Sequence, residues 1–146
     1  MNTQERSLGL HELSQIYSLG MHQYINAAIY SENDVFVQFF EKSAYERMIF
    51  VHDIQYRIGV LEGSNLKMTL EEMLDAWQNA CAFHKLEETF FITNDIGYID
   101  KKAIYHIGRL LTEELSEEST SLIMGHILKI ESGLKTLDYL LGSLDL

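Results

Sequence analysis

Apolar side chains recur every three or four positions along nearly the whole chain, and no proline interrupts them. That spacing is the repeat of a helix laid against a core, whereas a half-buried strand would alternate at every second residue. From Leu8 to Tyr30, residues Leu13, Ile16, Tyr17, Gly20, Tyr24, Ala27 and Ala28 share one stripe, which predicts a first helix. Ser31 then stands as an N-cap, with Glu32 and Asp34 supplying negative charge where a helix start favours it. Val37, Phe40, Ala44, Met48, Val51, Gln55 and Ile58 continue as a second stripe, and this helix runs to Leu61, with Gly63 as its stop signal.

Thr69 and Glu72 form a capping box that opens a third helix at Leu70. Its stripe takes in Met73, Leu74, Trp77, Ala80, Cys81 and Phe83, then loses definition before Thr93, Asn94, Asp95 and Gly97 predict a break. A further helix over about 99–115 uses Ala103, Ile104, Ile107, Leu110 and Leu111. Ser116 caps the last helix, Glu117 and Glu118 occupy its first turn, and Ile123, Ile127, Ile130, Leu134, Leu137 and Leu141 form a heptad-like seam. Two long helices joined by a very short link, followed by a shorter pair reached through an extra helix, predict an all-α fold. The expected architecture is an antiparallel four-helix bundle, one domain over residues 1–146, with an additional short helix between the two hairpins.

Charge narrows the partners. Eleven Lys and Arg against 22 Asp and Glu give a formal net charge of −11, which repels nucleic acid and anionic lipid because both bind through clustered cations. No apolar run approaches the length of a membrane span, and the first residues lack the pattern of a signal peptide. The single cysteine, Cys81, excludes an internal disulfide, so the expected compartment is the cytoplasm. Met48, Ile49, Phe50 and Val51 are consecutive and therefore point all around the second helix. One core cannot cover them all, so Met48, Ile49 and Phe50 are expected either at a homodimer or partner surface or beneath the extra helix.

The run Leu13, Gly20, Tyr24, Ala27-Ala28, followed by Phe36, Phe40, Ala44-Tyr45-Glu46-Arg47, Phe50, Asp53-Ile54-Gln55 and Ile58, resembles the opening helical hairpin of an uncharacterised bacterial branch of the ferritin-like superfamily. The resemblance implies a ferritin-like bundle and a bacterial source. Oxidases of that superfamily need an inward carboxylate on each of two helices and a Glu-x-x-His pair on each of the other two, since residues three apart reach one metal pair from one face. None of the 22 acidic residues has a histidine three positions later. Gly20 and Tyr24 stand on the first helix where a ligand carboxylate is expected. An intact di-iron centre is therefore not expected, and no cofactor is required.

Three site readings remain. His84, Glu87 and Glu88 share one helical surface through offsets of three and four, a donor set suited to zinc or iron in a metal-binding protein or an oxidase with a non-standard site. Gly125-His126-Ile127-Leu128-Lys129 resembles the phosphoacceptor motif of histidine phosphotransfer domains, with Ile130 and Glu131 departing from it. The main reading is a non-enzymatic, homodimeric binding or structural protein in which His126 lies beside the Ile127 and Ile130 seam. The paired carboxylates Glu71-Glu72 and Glu117-Glu118 are explained by helix starts.

Overall fold

The computed structural model describes residues 3–63, 97–113 and 115–143. These form helices α1 (Thr3–Tyr30), α2 (Asp34–Glu62), α3 (Tyr98–Leu110) and α4 (Glu117–Ser143), and no strand occurs among the described residues. The expected helix from Leu70, with its Thr69 and Glu72 box, lies outside the described residues, as does Cys81. None of the described helices is long and apolar enough to cross a membrane.

Helix ends follow capping chemistry, with two corrections. The N-cap of α2 is Asn33 rather than Ser31: its Oδ1 accepts the amides of Val35 at 2.9 Å and Phe36 at 3.3 Å. Ser31 Oγ instead accepts the Asn33 amide at 3.4 Å and so braces the turn before the helix. Gly63 closes α2 at φ 69°, ψ 22°, a left-handed conformation that a side chain disfavours. Helix α3 stops at Leu110, short of the expected Leu115, because the Arg109 carbonyl accepts both the amide of Thr112 at 3.1 Å and its hydroxyl at 2.6 Å. Ser116 caps α4 as expected, its hydroxyl accepting the Ser119 amide at 3.1 Å.

The four helices form a square in which α1 packs on α2 and α3, and α4 packs on the same two. Contacts that rise along one helix fall along its neighbour: His11 meets Glu62 while Tyr17 meets Phe50 and Tyr24 meets Phe40, so α1 and α2 run antiparallel. The interior divides into two apolar clusters. One gathers Leu10, Leu13, Tyr17, Phe50, Ile54, Ile107, Leu110, Ile123 and Ile130; the other gathers Met21, Tyr24, Ile25, Phe36, Phe40, Ala44, Met48 and Leu137. Burying such side chains is worth about 1.5–3 kcal/mol each and is the main force closing the square.

The stripe of α2 is rotated slightly from the expected one. Phe36, Phe40, Ala44, Arg47, Phe50, Ile54 and Ile58 are buried, while Val37, Val51 and Gln55 are only partly covered. Arg47 belongs to this inward stripe, which hydropathy counting cannot register.

Candidate functional site

At mid-height each helix contributes one residue to a layer between the two apolar clusters: Gly20 from α1, Arg47 from α2, Asp100 from α3 and Gly133 from α4. Arg47 is 1% exposed and Asp100 2%. The guanidinium grips the carboxylate with two parallel bonds, Nε to Oδ1 at 2.9 Å and NH2 to Oδ2 at 2.8 Å, the fork geometry that makes arginine the preferred partner for a buried acid. The Tyr24 hydroxyl donates to Asp100 Oδ2 at 2.6 Å, and Arg47 NH1 donates to Glu46 Oε1 at 2.7 Å. The guanidinium also lies 5.6 Å from the Tyr24 ring centroid and 5.2 Å from that of Phe50, within cation–π range.

The two glycines lie against this pair at ordinary contact distance. A Cβ on Gly20 would stand 3.7 Å from Asp100 Oδ1 and 4.0 Å from Arg47 Cγ, and one on Gly133 would stand 4.0 Å from Arg47 NH2. Two helices thus present bare backbone where the other two present long or charged side chains, an alternation of small against large across the layer.

A second polar chain crosses the square diagonally, one to two turns away. Tyr17 on α1 and His126 on α4 lie 3.0 Å apart from hydroxyl to Nδ1, and His126 Nε2 lies 3.0 Å from Asp53 Oδ2 on α2. A carboxylate only accepts, so Nε2 carries the hydrogen and donates to Asp53, and in the neutral ring Nδ1 accepts from the Tyr17 hydroxyl. Phe50 stacks on the imidazole at a centroid distance of 4.1 Å and an angle of 27°. Asp53 is the outer end of the chain, with its side chain 31% exposed.

Electrostatics keep both phenols neutral. Burial pushes the Tyr17 hydroxyl well above its ordinary range, with the charges of Asp100 and Asp53 adding and Arg47 opposing. Burial does the same for Tyr24, joined by the charge and hydrogen bond of Asp100. Burial works against the charge on Arg47, but the hydrogen bonds and charge of Asp100 outweigh it and raise the guanidinium further.

The expected site residues fall in different places. His84, Glu87 and Glu88 lie outside the described residues. Met48, Ile49 and Phe50, expected at a partner surface or under an extra helix, turn into the chain. Met48 is buried in the second cluster, Ile49 packs partly covered against it, and Phe50 is buried in the first cluster on His126. The helix is covered more widely here than one stripe allows because Phe50 and Met48 serve different clusters on either side of the Arg47 layer. His126 is 4% exposed with both ring nitrogens engaged, so it lacks the open nitrogen a phosphoacceptor needs.

Sequence reading missed Arg47, Asp100, Asp53 and the roles of Tyr17 and Tyr24. The available signal was Arg47 on the inward stripe, four residues after Ser43 and three before Phe50, facing the glycine and tyrosines of α1. A di-metal pair does not fit the layer: it offers one carboxylate, already held by a guanidinium, and two glycines. Among the described residues no three His, Cys, Asp or Glu side chains converge in a way that could hold a metal ion. Comparison with family models, curated proteins and solved structures finds no match to the chain.

Proposed function

We propose that the chain is a ferritin-like four-helix bundle, with an additional short helix between its hairpins, in which an internal ion pair takes the place of a metal shell, and that it serves as a non-enzymatic binding or structural protein. The observation that carries this reading is the Arg47–Asp100 fork at mid-height, where the bundle concentrates its polar side chains. A positive guanidinium there supplies the charge that would otherwise come from metal, and its partners are satisfied by one another rather than aimed at a substrate. The reading also includes self-association to a homodimer in the cytoplasm. The dimer finds support in Tyr98 and Tyr105, seven residues apart on α3 and 63% and 70% exposed, a spacing that places both on one outer stripe.

Protein purified without chelators, analysed for metals and by sedimentation velocity, tests both parts. The expected result is far less than one metal ion per chain and a species of twice the 16.9 kDa chain mass. Stoichiometric iron or zinc that a chelator removes, with loss of helicity, would overturn the ion-pair reading, and a monomer at all concentrations would overturn the dimer.

A further inference from the structure

The outer side of the α2–α4 contact carries a groove of about 280 Å³. We infer that this groove binds a small amphipathic monoanion, a molecule with a carboxylate head and a short apolar tail. Its volume lies just below the usual range for small-molecule pockets, so the ligand is compact. The lining is of mixed character, with Phe39 and Leu128 as apolar walls, Lys42 and Lys129 as cations, and three hydroxyl side chains between them.

The charge pattern selects the head group. In a chain with twice as many acids as bases, Lys42 and Lys129 form no ion pair among the described residues, yet both line this one groove. Glu46 also lines it, but its carboxylate is bound to Arg47 NH1 at 2.7 Å and is turned to that partner. Beneath the floor at Gly133, Arg47 NH2 comes within 4.0 Å of the missing Cβ position. Arg47 and Lys42, Lys129 together exceed Glu46 and Asp100 by one positive charge, which matches one carboxylate. In a partly enclosed site that excess holds an anion more firmly than a free lysine in bulk water would.

The tail is selected by Phe39 and Leu128. Leu128 is 63% exposed, so covering it with hydrocarbon removes apolar surface from water. A bare inorganic anion gains nothing there, and a neutral alcohol gains nothing from the lysines.

Octanoate titrated into isotopically labelled protein and followed by amide NMR tests the assignment, with octanol and inorganic phosphate as controls. Octanoate is expected to shift the amides of Ser43, Glu46, Ser132 and Gly133 and to bind at least several-fold more tightly than either control. The double variant Lys42→Gln, Lys129→Gln, whose two positions are exposed and outside both apolar clusters, should bind octanoate about tenfold more weakly. Leu128→Asn, which removes the apolar wall without adding charge, should weaken octanoate while leaving phosphate unchanged. Shifts confined to other surfaces, equal binding by octanol, phosphate binding as tight as octanoate, or unchanged affinity in the double variant would each overturn the proposal. Metal content and dimerisation do not enter this measurement, so its failure leaves the ion-pair reading standing, and the reverse holds.

Discussion

The Arg47–Asp100 pair shows how a buried charge is tolerated at a single residue. Taking either ion out of water costs several kcal/mol, and the fork, the Tyr24 hydroxyl and the Glu46 carboxylate return that energy only while all partners are present. We therefore expect Asp100→Ala to lose about 3–5 kcal/mol in urea denaturation, because it strands a buried guanidinium. The double variant Arg47→Met, Asp100→Leu should lose less than either single change, since it leaves no unpaired charge. A double variant whose loss equals the sum of the singles would mean the two residues act independently. Apart from the place of Arg47 on the inward stripe of α2, nothing in the local sequence announced this pair. Arg47 and Asp100 stand 53 positions apart, and neither position names the other as its partner.

At the scale of the element, periodicity was a reliable guide and boundaries were less so. The stripes of α1 and α4 emerge in their central parts: Leu13, Ile16, Tyr17 and Tyr24 are buried on one and Ile123, Ile130 and Leu137 on the other, whereas Ala28, Ile127 and Leu134 are only partly covered and Leu141, expected to end the α4 seam, is exposed. The start of α2 moved by two residues because Asn33 and Ser31 are both competent caps, and only the path of the chain out of α1 decides which oxygen meets free amides. Asn33→Ala should cost about 1 kcal/mol in thermal or urea denaturation and Ser31→Ala less than about 0.5 kcal/mol; equal losses would put the cap back at Ser31. Gly97, expected only as part of a break, stands at φ 100°, and a Cβ there would come within 3.1 Å of Leu134 and 3.2 Å of Leu137. Two requirements, backbone and space, converge on that glycine, and the sequence displays neither.

For the molecule as a whole, the two buried phenols set a limit at high pH. Tyr17 and Tyr24 hold their protons far above the ordinary value of 10.0 when folded, while the unfolded chain releases them near it. Above pH 10 the unfolded state thus binds fewer protons than the folded one, and unfolding free energy falls as pH rises. The contribution is fully present below pH 10 and declines above it by up to about 1.4 kcal/mol per pH unit for each tyrosine. Urea midpoints measured from pH 9 to 11.5 should show this fall, and Tyr24→Phe should remove about half of the slope. An unchanged slope would mean that Tyr24 ionises freely in the folded protein. Arg47, held against the cost of burial above its ordinary range chiefly by Asp100, contributes nothing to this window.

By itself the sequence determined that the chain is helical and where its helices present apolar faces, because a period of three to four and the absence of proline act through local geometry. It also determined the net charge of −11, since charge is additive along a chain. Only the tertiary structure decided what stands at mid-height, because Gly20, Arg47, Asp100 and Gly133 acquire their roles from one another across four helices. The same holds for Phe50, whose ring could have met solvent, a partner or His126, and whose place was fixed by how far α2 turned about its axis. Hydropathy measures one residue at a time, whereas burial of a charge depends on the partner that arrives with it.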